Sequence, residues 1–129
     1  MSTYGARLER ARARMADLGV DVLLLSTGAD LPYLTGYEAM PLERLTMLVA
    51  PVDAAAVLVV PRLEAPRVVA RDDAFSIRAW EETENPVDIV ADLVGDARTA
   101  AVGDQTWAVS LHAMMSTLES AVGLNYVIG

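Results

Sequence analysis

The chain has 129 residues, which suits one domain, and its 53% hydrophobic content favours a packed core over disorder. Its net charge of −8, with ten arginines and no lysine, disfavours nucleic-acid binding, which depends on neutralising phosphates. The chain has no cysteine, so disulfides, thiolate metal sites and cysteine nucleophiles are excluded.

The N-terminal segment does not resemble a targeting signal. Residues 1–14 carry several arginines and lack the apolar stretch of a signal peptide. Apolar runs such as Val22–Leu25 are far shorter than the roughly 20 residues that a membrane-spanning helix needs. We therefore expect neither export nor membrane insertion, and we predict a cytoplasmic location.

The first half of the chain alternates helical and strand patterns. Apolar residues recur at helical spacing over 4–18, where Ser2 or Thr3 can cap the helix and Gly19 can end it. A continuous apolar strand at 22–26 is typical of the middle of a sheet. The remaining predicted elements are a helical turn at 31–35, capped by Asp30, and a hairpin with strands at 45–50 and 56–60.

The second half continues the same alternation. Its predicted elements are a helix at 63–70, a half-exposed strand at 75–79, a helix at 86–94, a strand at 100–103, an amphipathic helix at 109–121 and a last strand at 124–128. The order predicts a single three-layer α/β domain: a six-stranded mixed sheet with helices on both faces. Because the chain stops one residue after the last strand, we expect it to be a domain cut from a longer protein.

The sequence offers no catalytic machinery. It contains no dinucleotide-binding glycine motif, no phosphate-binding loop and no serine-hydrolase motif. Its one histidine, His112, shares a helical face with Ser116 and Glu119, opposite the apolar stripe. We interpret it as a surface residue in preference to a metal ligand or general base, and we predict no metal site.

Two charged clusters each allow two interpretations. The acidic segment Glu81–Glu84 precedes a predicted helix, where carboxylates favour the helix dipole; a cation site is the alternative. In the arginine cluster of the first helix, which also contains Arg12, the residues Arg7, Arg10 and Arg14 line one face away from the apolar stripe. A solvated face is the favoured interpretation, and contact with an acidic partner domain is the alternative.

The most specific segment is Thr27–Tyr37, with the sequence TGADLPYLTGY. It resembles the N-x-x-Y-L-T-G-F/Y signature that follows the first strand in N-terminal domains of the creatinase/prolidase/aminopeptidase P family. The signature positions are Asp30, Tyr33, Leu34, Thr35 and Gly36. Further similar features occur in the family's order, Leu18–Asp21 before the signature and the others after it: Val59–Pro61, Leu63, Glu64, Trp80, Pro86, Ala101–Gly103 and Trp107.

The chain departs from the signature at Asp30, where the family usually has asparagine. Both residues cap helices and tolerate tight turns, so we expect the local fold to be kept. An aspartate, however, offers a substrate no side-chain amide.

The resemblance implies a ribonuclease H-like fold and a two-domain parent hydrolase that cleaves bonds before proline. Its C-terminal "pita-bread" domain would hold two Mn²⁺, Co²⁺ or Zn²⁺ ions on two aspartates, one histidine and two glutamates, none of them in this chain. The chain alone would then be no enzyme. Creatinase, a metal-free relative, uses the same N-terminal domain for different chemistry.

The resemblance also implies a homodimer in which this domain walls the neighbouring subunit's active site. In creatinase-like members, an arginine at the start of the next strand reaches toward the partner's substrate carboxylate, and Arg44 occupies that position. Tyr37 begins the loop before it, so we predict both as substrate-binding residues. The alternative for Arg44 is a surface salt bridge to Glu38 or Glu43.

The predicted partners are therefore the catalytic domain, a second copy of the chain and a proline-containing peptide. A free-standing peptide- or protein-binding module with the same fold is the alternative function. The two hypotheses differ in whether the reading frame continues past Gly129 into a segment that bears the metal ligands.

Overall fold

The computed structural model describes residues 2–26, 28–39, 44–103 and, for the backbone alone, 125–128. Three helices, a short 3₁₀ turn and six strands alternate along this part of the chain. In chain order they are α1 (Thr3–Leu18), β1 (Val22–Leu25), α2 (Asp30–Thr35), β2 (Met47–Pro51), β3 (Ala56–Pro61), the 3₁₀ turn (Ala65–Arg67), β4 (Phe75–Trp80), α3 (Pro86–Val94), β5 (Thr99–Val102) and β6 (Asn125–Ile128).

The described strands form one mixed sheet in the order β4-β3-β2-β1-β5-β6. Strand β2 runs antiparallel to both of its neighbours, whereas the pairs β3–β4, β1–β5 and β5–β6 are parallel. The predicted six-stranded mixed sheet and its hairpin are therefore confirmed. One consequence matters for the site: β1, β3, β4 and β5 all end at the edge where β2 begins.

The core lies on both faces of the sheet, because side chains of alternate strand residues point to opposite sides. One face carries Leu25, Leu48, Ala50, Leu58 and Val60, which cluster with Leu8, Leu31 and Leu34 from α1 and α2. The other face carries Val22, Leu24, Met47, Val49 and Val59, which cluster with Val90 and Val94 from α3. The predicted three-layer arrangement is confirmed.

Helix α1 begins and ends where its sequence indicates. The Ser2 hydroxyl accepts a hydrogen bond from the Gly5 backbone N–H at 3.1 Å, which caps the first turn. Gly19 ends the helix in the left-handed region at φ 71°, and the Val20 N–H donates to the Met15 carbonyl at 2.8 Å. This C-terminal motif buries Val20 and Met15 together, and it turns the chain directly into β1.

Asp21 joins three strands at the edge where β1 and β5 start and β2 ends. Its carboxylate accepts the backbone N–H groups of Arg98 at 2.9 Å and Thr99 at 3.1 Å, at the start of β5. Its own N–H donates to the Thr99 carbonyl at 2.9 Å, and its carbonyl accepts the Val52 N–H at 2.8 Å. Asp21 therefore fixes the parallel pairing of β1 with β5 beside the end of β2.

Asp21→Ala is expected to lower the free energy of unfolding by about 1–2 kcal/mol, because the N–H groups of Arg98 and Thr99 lose a charged acceptor. Water can replace this acceptor at the exposed Arg98 N–H more easily than at the partly buried Thr99 N–H. Urea denaturation followed by circular dichroism measures the change. Asp21→Asn keeps one acceptor oxygen, so it should cost less. Equal losses for the two variants would show that the negative charge, and not the acceptor, stabilises this edge.

The helix predicted at 63–70 is wrong. The structure has only the 3₁₀ turn Ala65–Arg67 there. Pro66 supplies no backbone N–H for a helix, and Leu63 and Val69 are 73% and 60% exposed. The segment therefore has no buried apolar stripe that would stabilise a longer helix.

The helix predicted at 109–121, with His112, lies outside the described residues. In the part of the chain that the structure does describe, no helix is both long enough and apolar enough to cross a membrane.

Candidate functional site at the carboxyl edge of the sheet

The predicted substrate-binding residues lie along one edge of the sheet. At this edge, which we call the carboxyl edge, β1, β3 and β4 end at Leu25, Pro61 and Trp80, and β2 begins. Two side-chain hydrogen bonds join the ends of β4 and β1 to the segment just before β2. The Trp80 indole N–H donates to the Leu45 carbonyl at 2.8 Å, and the buried Ser26 hydroxyl donates to the Thr46 carbonyl at 2.7 Å. The carboxyl ends of strands are where α/β folds place ligand contacts.

Tyr37 is a core residue whose hydroxyl reaches this edge. Its side chain is only 7% exposed and packs in the cluster beneath α1 and α2. The hydroxyl donates to the Glu64 carboxylate at 3.3 Å. Burial, and then the negative charge of Glu64, raises the pKa of the Tyr37 phenol. A ligand would therefore meet a neutral Tyr37 through its hydroxyl group, and substrate binding by Tyr37 stays a prediction.

Arg44 stands at the start of the segment that leads into β2 and is paired with the acidic loop that follows β4. Its Nη1 lies 2.6 Å from Oε1 of Glu82, and the two side chains are 45% and 66% exposed. The salt bridge of Arg44 was expected from sequence to be with Glu38 or Glu43. Among the described residues its partner is Glu82 and not Glu38, and Glu43 lies outside the described residues. The structure leaves about half of the Arg44 side chain accessible to a ligand.

The acidic segment Glu81–Glu84 is neutralised by arginines. Glu81 pairs with Arg62 at 3.0 Å, while Glu84 receives two hydrogen bonds from Arg78, at 2.7 and 3.3 Å. The hydrogen bond from Arg78 and then that from the Glu81 N–H lower the pKa of the Glu84 carboxyl. The segment lies in the loop that leads into α3, as predicted, and its carboxylates also pair with arginines. Their effect on the helix dipole stays a prediction.

The same ion pairs argue against the alternative cation site. No group of three or more histidine, aspartate or glutamate side chains in the described ranges is arranged to hold a metal ion. The cap of α3 is supplied by Asn85, whose side-chain oxygen accepts the Val87 N–H at 3.0 Å. Metal binding through His112 lies outside the described residues.

The family signature forms α2 and its exit toward the carboxyl edge. Leu34 and Thr35 are buried, and the Thr35 hydroxyl donates to the Leu31 carbonyl at 2.7 Å and accepts the Tyr37 N–H at 3.1 Å. This threonine therefore joins the last turn of the helix to the following loop. Gly36 ends α2 at φ 76°, where a side chain is strained.

Asp30 and Tyr33 occupy the exposed part of the signature. The N-cap position belongs to Ala29, and Asp30 is the first residue of the helix, so the predicted cap is corrected. Tyr33 is 49% exposed, and the Arg7 guanidinium stacks over its ring at 4.3 Å. A hydrogen bond from Arg10 is the main cause that lowers the pKa of the Tyr33 phenol.

Of the arginines predicted to form a solvated face on α1, Arg10 and Arg14 are exposed, whereas Arg7 makes a structural contact. Arg7 donates to the Tyr33 carbonyl at 2.9 Å, which ties α1 to α2. Arg12 donates to the Pro51 carbonyl at 3.2 Å, which ties the helix to the hairpin loop. Sequence reasoning also missed Arg71, whose guanidinium stacks on the Tyr4 ring at 4.3 Å; no local pattern marks it.

Comparisons of the sequence and of the structure with known proteins give matches to one family of domains. The family model described as "Creatinase/Prolidase N-terminal domain" matches residues 7–127. "Probable dipeptidase PepE" from Mycobacterium tuberculosis is 37% identical over 125 residues, which are 94% of this chain and 32% of that protein. The chain thus spans about a third of the length of the curated relatives it matches.

Solved structures agree with the same fold. Dipeptidase PepE from Mycobacterium ulcerans superposes with a TM-score of 0.84 and 34% identity, covering 98% of this chain and 34% of that one. The creatinase/prolidase N-terminal domain of an X-Pro dipeptidase from Streptococcus pyogenes gives a TM-score of 0.78 at 24% identity, over 96% of this chain and 93% of that one. The second likeness concerns the fold alone.

Proposed function

Since this chain belongs to the family of creatinase/prolidase N-terminal domains, we propose that it is the non-catalytic N-terminal domain of a cytoplasmic, metal-dependent Xaa-Pro dipeptidase or aminopeptidase. The observation that carries the proposal is the superposition on dipeptidase PepE from Mycobacterium ulcerans, with nearly the whole chain matching 34% of that protein. Catalysis then belongs to a second domain, which would hold two divalent metal ions, Mn²⁺, Co²⁺ or Zn²⁺.

Within that enzyme, the domain would support a homodimer and limit access to the neighbouring subunit's active site. The carboxyl edge suits this role, because a half-exposed guanidinium at Arg44 lies there; the Tyr37 hydroxyl reaches the same edge, where it is bonded to Glu64. A guanidinium can bind both oxygens of a carboxylate, which is the group at the end of a short peptide substrate. Excluding water and long peptides from the site would be the second effect of such a wall.

The isolated chain is expected to fold cooperatively and to hydrolyse no Xaa-Pro dipeptide with added Mn²⁺ or Co²⁺. The domain from Streptococcus pyogenes, which this chain covers over 93% of its length, supports independent folding. The measurement is proline release by purified domain and by the full-length protein, together with the sedimentation mass of the full-length protein.

Turnover by the rigorously purified domain would contradict the non-catalytic role. A full-length protein that sediments as a monomer would contradict the dimer and any contribution in trans. A reading frame without a catalytic segment would instead favour a free-standing peptide- or protein-binding module.

A further inference from the structure

The partner of Arg44 in the structure is itself a carboxylate, supplied by Glu82 of the same chain. We propose that Glu82 is an internal competitor: Arg44 exchanges it for the carboxylate of a bound peptide and regains it when the product leaves. This inference rests on the function proposed above for Arg44. It assigns to Glu82 a role in specificity and release that differs from simple surface pairing.

The three ion pairs of the acidic loop differ in how firmly they are held. Glu84 accepts two hydrogen bonds from Arg78 and a third from the Glu81 N–H at 2.9 Å, so it is fixed on several sides. Glu82 makes one contact with Arg44 in the described structure, and its side chain is 66% exposed. Exposed single-contact pairs contribute little to stability, so Glu82 can release Arg44 without disturbing the fold.

Exchange of one carboxylate for another keeps the charge of the site balanced. The Arg44 guanidinium is paired with the Glu82 carboxylate both before a peptide binds and after the product departs, so its charge always has a partner. A peptide substrate with a free C-terminus and the proline released from it both carry a carboxylate, so Arg44 would bind both. Competition from Glu82 therefore weakens product retention as well as substrate binding, which is useful where product release limits turnover.

The test is Glu82→Gln in the full-length protein, which keeps the shape of the side chain and removes its charge. Removing the competitor should lower KM for glycyl-proline by about two- to fivefold and lower the inhibition constant of free L-proline by the same factor. The KM for glycyl-prolinamide, which has no carboxylate, should not change.

Glu81→Gln is the matched control, because it removes an equal charge from the same loop and frees Arg62 instead of Arg44. It should leave KM and the inhibition constant unchanged. The double variant Arg44→Ala/Glu82→Gln should behave as Arg44→Ala alone, since the competitor has nothing left to compete for.

Several results would overturn the inference. An increase in KM for Glu82→Gln would mean that Glu82 positions Arg44, and no change would mean that it does not compete. Equal effects of Glu81→Gln and Glu82→Gln would reduce both to the net charge of the loop. If Arg44→Ala alone has no effect on free-acid peptides, the proposed function of Arg44 fails first, independently of Glu82.

Discussion

Gly36→Ala is expected to lower the free energy of unfolding by about 2–3 kcal/mol. At φ 76° an alanine side chain is strained, which alone costs about 1 kcal/mol. A Cβ atom at this position would also lie 2.8 Å from Nη2 of Arg71 and 3.0 Å from the hydroxyl oxygen of Tyr4. Arg71 cannot move away freely, because its guanidinium is stacked on the Tyr4 ring. Overpacking costs about 1–3 kcal/mol, and we expect the lower part of that range, about 1–2 kcal/mol, because the obstructing atoms are side-chain ends.

Gly19→Ala separates the two contributions. Gly19 has nearly the same backbone angle, φ 71°, but no atom of the described residues lies within 4 Å of its hypothetical Cβ. The control variant should therefore lose only the strain of about 1 kcal/mol. Urea denaturation of both variants measures the difference, which is the cost of the close approach to Arg71 and Tyr4.

Arg71→Ala provides a second check by removing the nearest obstructing atom. In that background, the cost of Gly36→Ala should fall toward the value for Gly19→Ala, as expected for two residues in contact. Equal losses for Gly36→Ala and Gly19→Ala in the parent chain would show that the stack yields without cost. The signature glycine would then be explained by its backbone conformation alone.

Local signals in the sequence predicted most of the fold. Helix α1 begins after Ser2 and ends at Gly19, and α3 begins at Pro86 after the cap Asn85. Such signals are readable from sequence because caps and prolines act on the backbone next to them. The continuous apolar pattern at 22–26 predicted a strand in the middle of the sheet, which β1 is. The helix predicted at 63–70 does not form, because Leu63 and Val69 are exposed and would not pack against an apolar surface.

The pairings between distant residues could not be predicted in this way. Periodicity shows which side of an element a residue occupies, but it does not identify the partner that the fold brings there. Arg44 meets Glu82, and Arg12 meets the carbonyl of Pro51, only because β2 and β4 begin or end at particular edges of the sheet. The Arg71–Tyr4 stack depends in the same way on where the β3–β4 connection crosses α1.

The candidate site itself came from a resemblance and not from a chemical motif. Tyr37 and Arg44 are 7 positions apart in sequence and carry no spacing that specifies a ligand. The topology gives that resemblance a physical context, since the antiparallel β2 places its own start beside the ends of β1 and β3. Any residue just before β2 must then lie at the carboxyl edge.

Arg44→Ala in the full-length protein is expected to reduce kcat/KM for short free-acid peptides by about 1.5–3 kcal/mol, which is roughly 10- to 150-fold. The loss follows if the guanidinium binds the carboxylate of a substrate held by the neighbouring subunit. Folding and metal content should be unchanged, because the exposed pair with Glu82 contributes little to stability. Steady-state kinetics on matched free-acid and amidated peptides make the measurement.

The comparison of substrates and variants decides what Arg44 does. Amidated or longer peptides should lose much less, because they offer no carboxylate at that distance. Arg44→Lys should recover only part of the activity, since an ammonium group cannot reproduce the planar two-point contact. Arg62→Ala, which breaks the neighbouring pair with Glu81, should have no such effect. Equal losses for acid and amide would mean that Arg44 acts through packing or the dimer, and no loss would leave it as one partner of a surface salt bridge.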